Sequence, residues 1–150
     1  MEYELLIREA EVEDAAELVA FLNRVSVETD FTSLDRNGIL MTDTEMELFL
    51  DKQAHSENQI TLLALLNDEI AGLVNITADQ RKRVRHIGDL FIVIGKKYWN
   101  NGLGSLLLEE VVDWAQASGI LRRLQLTVQT RNQAAVHLYQ KHGFVIEGRQ

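Results

Sequence analysis

The stretch from His86 to Gly119 reads HIGDLFIVIGKKYWNNGLGSLLLEEVVDWAQASG, and its reading decides the fold. His86 to Ile94 is a short apolar run, which predicts a strand. Gly102 to Ser118 places Leu103, Leu106, Leu107, Val111, Trp114 and Ala115 on one broad helical face, and Gly119 offers a left-handed C-cap. Between strand and helix lies Gly102-Leu103-Gly104. Its missing side chains let successive backbone N–H groups face a ligand at a helix N-terminus, a geometry that binds anions. A Gly-x-Gly before a helix is equally an ordinary tight turn. No Gly-Lys-Ser/Thr follows it, and it lacks the third glycine and later ribose acid of a dinucleotide site.

Upstream, the elements come in mixed α/β order. Leu5-Leu6-Ile7 reads as a short strand, and Glu13-Asp14 lead a helix with Ala15, Leu18, Val19 and Leu22 at helical spacing. Thr42 with Glu45 is a capping-box pattern ahead of a second helix that carries Met46, Phe49 and Leu50. Two apolar runs, Ile60 to Leu66 and Ile70 to Ala78, flank Asn67-Asp68-Glu69 and predict an antiparallel hairpin. Downstream, Leu124, Leu126 and Val128 alternate with polar residues as a half-buried strand does. Asn132 to His142 predicts a last helix with Ala135, Val136 and Tyr139 inward, ended by Gly143, and Phe144-Val145-Ile146 starts one more strand. No repeat, low-complexity stretch or linker interrupts the 150 residues, so one domain, residues 1–150, is expected.

Composition narrows the function classes. No apolar run approaches the ~18 residues of a membrane span, and the acidic Met1-Glu2-Tyr3-Glu4 start is unlike a secretory signal, so a cytoplasmic location is the default. With no cysteine, disulfides and thiolate metal sites are excluded, and His55, His86, His137 and His142 show no ligand spacing, so no metal is expected. A net charge of −8 disfavours nucleic acid. Arg81-Lys82-Arg83-Val84-Arg85 is a local exception, either an anion-attracting loop or a solvated hairpin.

The order strand, Gly-x-Gly, long helix, strand, then Asn132 and Tyr139 on a helix closed by Gly143-Phe144, resembles the GNAT N-acetyltransferase superfamily across nearly the whole chain. That family's hallmark Gln/Arg-x-x-Gly-x-Gly/Ala corresponds to Trp99-Asn100-Asn101-Gly102-Leu103-Gly104, and its Asn-x(6)-Tyr-x(3)-Gly-Phe run to Asn132 through Phe144. Tryptophan at position 99 departs from the usual Gln or Arg and resembles the branch that includes ribosomal-protein and polyamine acetyltransferases. The resemblance implies a mixed, mostly antiparallel central sheet flanked by about four helices.

It also implies acetyl-CoA as co-substrate and transfer of its acetyl group to a primary amine, on a small molecule or a peptide N-terminus, by direct attack in a ternary complex. The backbone of Ile92, Val93 and Ile94 would take the pantetheine arm, with a backbone N–H near Val93 facing the oxyanion. Asn100, Asn101, Gly102, Leu103, Gly104 and Ser105 would hold the pyrophosphate, and Asn132 would contact the cofactor. Lys96 and Lys141 are candidates for a cofactor phosphate or plain exposed lysines. Tyr139 matches the tyrosine that protonates the departing thiolate; without the motif, such a residue is a core tyrosine. Asp89 matches an acidic position that takes the amine proton, or else simply faces solvent. Glu28 and Asp30, between the first two helices, would suit a cationic acceptor.

Family members normally end in a strand hairpin, whereas here the chain stops at Gln150, which leaves Phe144 to Glu147 without the usual neighbour. A shortened form is expected; a strand donated within a homodimer is the alternative. From a different function class, a coenzyme A-binding regulatory or structural domain without turnover would keep the turn and lack the chemistry.

Overall fold

Ile60–Leu66 (β2) and Glu69–Ala78 (β3) lack the polar-apolar alternation of a half-exposed sheet, and most of their residues are buried in unbroken runs. The cause is coverage on both faces. The computed structural model describes residues 4–28, 42–78, 81, 85–98, 102–125 and 140, apart from the side chains of 26–28 and 96. Within them Leu5–Glu9 (β1), β2, β3, Ile87–Ile94 (β4) and Arg123–Gln125 (β5) form one sheet in sequential order. Pairings are antiparallel from β1 to β4, and β4 runs parallel to β5. The parallel pair needs a crossover, supplied by the helix Leu103–Ser118 (α3).

α3 covers one face. Leu103, Leu107, Leu108, Val111 and Ala115 pack there with Leu62, Ala64, Val74, Ile76 and Leu90. The buried arc differs from the expected one, because Leu108 lies inside it and Leu106, on its far flank, is 41% exposed. Gly119 ends the helix at φ 70°, the left-handed cap its sequence position predicts.

Helices Ala15–Glu28 (α1) and Asp43–Ala54 (α2) cover the other face, where Ala15, Leu18, Phe21, Leu22, Val25, Met46 and Leu50 meet Leu63, Leu65, Leu73 and Val93. The capping box opening α2 is present: Thr42 Oγ1 accepts from the Glu45 N–H and Glu45 Oε1 from the Thr42 N–H, both at 3.1 Å. A 3-10 turn at Val12–Asp14 leads into α1. Its Asp14 carboxylate accepts the Glu11 N–H at 2.7 Å and two Arg8 guanidinium bonds at 2.8 Å each. Three buried polar side chains on this face satisfy one another: Thr61 donates to Gln53 Oε1, Asn75 Nδ2 donates to Thr61 Oγ1 at 3.0 Å, and Gln53 Nε2 donates to the Ile76 carbonyl.

The β2–β3 turn is tighter than its three-residue signal suggests. Asn67 and Asp68 alone turn the chain, at φ 52° and 71°, while Glu69 pairs with Leu66 as part of β3. Both angles suit the two-residue hairpin turn whose twist matches the strands. The predicted helix over 132–142, the strand beginning at Phe144 and the alternation beyond Gln125 lie outside the described residues, so three helices are seen where about four are expected.

Candidate active site

β4 and the start of α3 position the candidate site. The strand ends against β3 through Gly95, whose N–H donates to the Ala71 carbonyl at 2.9 Å, and a 3-10 turn at Lys96–Tyr98 carries the chain away. α3 then begins after Gly102, which stands at φ 78° and ψ 4°. A Cβ added there would meet nothing within 4 Å, so the left-handed backbone rather than crowding calls for glycine. The first intrahelical bond runs from the Leu106 N–H to the Gly102 carbonyl at 3.2 Å. Helix geometry aims the N–H groups of the first turn, Leu103 to Ser105, out of this end, where the helix dipole is positive.

Hydrogen-bond alternation along β4 assigns directions to its peptides. Gly95 bonds to β3, so the backbone groups of Val93, Phe91 and Asp89 also face β3. The His86 carbonyl accepts the N–H groups of Arg122 and Arg123, so Gly88, Leu90, Ile92 and Ile94 turn theirs to the β5 side. Of the three residues expected to meet the pantetheine arm, Ile92 and Ile94 therefore point backbone donors and acceptors away from β3. Val93 is turned into the ladder opposite Leu73, and its side chain is buried among the α1 and α2 core residues. The Val93 N–H itself is therefore directed to β3, while those of Ile92 and Ile94 are directed to the β5 side.

Side-chain alternation puts Asp89 on the α1/α2 face, in line with Phe91 and Val93. Its carboxylate is exposed, and Oδ1 accepts from Gln125 Nε2 on β5 at 2.7 Å. Glu28 is the last residue of α1, and its side chain is outside the described set. Asp30, Trp99, Asn100, Asn101, Asn132, Tyr139 and Lys141 lie outside the described residues, as does the side chain of Lys96. Thus Ile92, Ile94, Gly102, Leu103, Gly104 and Ser105 are brought to the same end of the molecule, with Asp89 further back on the same strand. Among the described residues no cluster of three or more His, Asp or Glu side chains is arranged for a metal, and no helix is long and apolar enough to cross a membrane. In the basic loop, Arg85 Nη2 lies 3.3 Å from Glu57 Oε2; residues 82–84 are not described.

Two residues with a bearing on this site escape sequence reasoning. Gly72, opposite Ile94, gives β4 room: an added Cβ would stand 2.7 Å from Ile94 Cδ1 and 2.9 Å from the Val93 carbonyl oxygen. Gln125 reaches Asp89 only through the parallel β4–β5 register, which no local pattern encodes.

Comparison with known proteins fits this geometry. A crystal structure of a GNAT-family acetyltransferase from Streptococcus pneumoniae is 86% identical and superposes with a TM-score of 0.93, over 97% of this chain and 86% of that one. The L-amino acid N-acetyltransferase of Escherichia coli is 32% identical over 87 residues, 58% of this chain and 54% of that protein. The spermidine N(1)-acetyltransferase of Escherichia coli is 28% identical over 104 residues, 69% of this chain and 55% of that protein. The chain thus spans a little over half the length of these two curated relatives. The pattern of the acetyltransferase (GNAT) family matches residues 29–144, most of the sequence, and the chain belongs to that family.

Proposed function

We propose that the chain is an acetyl-CoA-dependent N-acetyltransferase that passes the acetyl group directly to a primary amine within a ternary complex. The observation that carries this reading is the pairing of two features at one end of β4: Ile92 and Ile94 turn their peptide groups away from β3, and beyond them α3 opens on left-handed Gly102. An extended amide-bearing arm suits the first, and a pyrophosphate suits the second. Acetyl-CoA supplies an activated thioester carbonyl. The residues Asn100 to Ser105 hold its pyrophosphate, Ile92 and Ile94 align its arm, and Asn132 contacts it.

The protein's own task is to orient the amine, stabilise charge on the carbonyl oxygen and manage two protons. The backbone N–H of Ile92 faces the developing oxyanion. Asp89 lies three residues before Ile92, about 10 Å along an extended strand. That separation suits a carboxylate that receives the amine proton through one water rather than by direct contact. Tyr139 gives its phenolic proton to the leaving sulfur. The carboxylates of Glu28 and Asp30 favour a cationic acceptor. The similarity to amino-acid and polyamine acetyltransferases supports a small amine, with a peptide N-terminus as the other class.

Thiol release from acetyl-CoA, followed across L-amino acids, spermidine and N-terminal peptides, tests the reading. At least one acceptor is expected to turn over; tight acetyl-CoA binding with no release on the whole panel would instead mark a coenzyme A-binding domain without turnover. With the acceptor in hand, Tyr139→Phe is expected to lower kcat on the order of 100-fold while acetyl-CoA affinity changes little. Equal losses in both would return Tyr139 to a packing role.

A further inference from the structure

The Asp89 carboxylate is exposed, and a solvated aspartate samples several staggered rotamers unless something selects one. The selecting group is Gln125, which stands on the same face at the parallel rung Asp89↔Gln125 and donates from Nε2 to Asp89 Oδ1 at 2.7 Å. We propose that Gln125 is a positioning residue for the reaction, holding the Asp89 carboxylate in the orientation that accepts the acceptor's proton. The inference rests on Asp89 acting as the base.

The chemistry favours an amide at this position. A lysine or arginine would form an ion pair with Asp89 and compete with a cationic acceptor, whereas a neutral donor fixes the carboxylate and leaves its charge in place. Arg123, two residues earlier on β5, stands at the rung of Ile87, two residues further from the cofactor end of the strand than Asp89. In the step so served, the acceptor's ammonium gives one proton through a water to the Asp89 carboxylate, and the freed lone pair on nitrogen forms the N–C bond while the carbonyl π pair moves onto oxygen. That pair returns as the C–S bond breaks with its electrons on sulfur, which takes the Tyr139 proton, and the surplus proton on the new amide nitrogen restores the phenol.

A double-mutant cycle tests this with the acceptor that turns over fastest in the panel above, alongside direct measurement of acetyl-CoA affinity. Gln125→Leu is expected to lower kcat about 10-fold and Asp89→Asn about 100-fold, with acetyl-CoA binding unchanged in both. The double variant is expected to be no slower than Asp89→Asn alone, because a positioning residue has nothing left to position. If Gln125→Leu stays within about twofold of wild type, or the two losses multiply, the proposal is overturned. Full kcat in Asp89→Asn would remove the base reading and this inference with it. A wild-type protein silent on every acceptor would instead overturn the acetyltransferase reading itself, an outcome told apart because no variant is needed to see it.

Discussion

Asp14 shows how much one side chain can hold at the start of α1. Its carboxylate accepts both Arg8 guanidinium bonds and the Glu11 N–H, and its side chain is 13% exposed. The Arg8 hydrogen bonds, helped by the Glu11 amide and opposed by burial, hold the Asp14 carboxyl below the usual carboxylate range. Arg8 is raised in turn, chiefly by the same hydrogen bonds, so its charge persists throughout the working pH range. A depressed folded-state pKa adds stability above the unfolded-state value and loses it as pH falls through the folded one. Asp14→Asn is therefore expected to cost about 1 kcal/mol at pH 7, allowing for the partial exposure of Arg8, or roughly 3 °C in Tm. The gap between variant and wild type should close in thermal melts taken below the carboxylate range; a gap constant with pH would assign the effect to geometry instead of charge.

At the scale of elements, Gly72 governs how closely β3 and β4 approach. Gly72 lets Ile94 and the Val93 carbonyl approach as they do. The Ile94 tip can rotate away from an added methyl, but the Val93 oxygen, 2.9 Å from it, belongs to the backbone and moves only with the strand. Gly72→Ala is expected to cost about 1–3 kcal/mol in urea unfolding, more than the few tenths regained from a stiffer unfolded chain. It should also weaken acetyl-CoA binding several-fold, since the displaced segment is Ile92 to Ile94. Lost stability with unchanged affinity in calorimetric titration would detach Gly72 from the site. The boundaries of α3 are legible from Gly102 and Gly119, whereas the rotation of its buried stripe is not, because Leu106 and Leu108 are chemically alike and only packing against the sheet chooses between them.

For the whole molecule, a ligand that binds only the folded state stabilises it by mass action. The proposed cofactor reaches from β4 to the N-terminus of α3, two elements that follow one another along the chain. Acetyl-CoA at about 100 times its Kd should therefore add about 2.7 kcal/mol, visible as a rise of several degrees in a thermal shift assay. Desulfo-coenzyme A should give a similar rise, since it keeps the pyrophosphate and most of the arm, while free acetate should give none. No shift with acetyl-CoA would remove the site as drawn.

What the sequence determined by itself was local. The capping box at Thr42 and Glu45, the left-handed C-cap at Gly119, and a hairpin turn within Asn67-Asp68-Glu69 follow from backbone preferences of a few adjacent residues, which any fold must respect. The connected motifs around Gly102 also marked the family, because a turn that binds by its backbone constrains the sequence at fixed spacing. The tertiary structure decided what depends on residues distant along the chain. It covered β2 and β3 on both faces, turned Val93 into the ladder while directing Ile92 and Ile94 to the β5 side, and set Gln125 against Asp89 across 36 positions. Register and pleat fix these arrangements, and both arise only when strands pair, since a slip of one residue would reverse every direction without changing the composition of any strand.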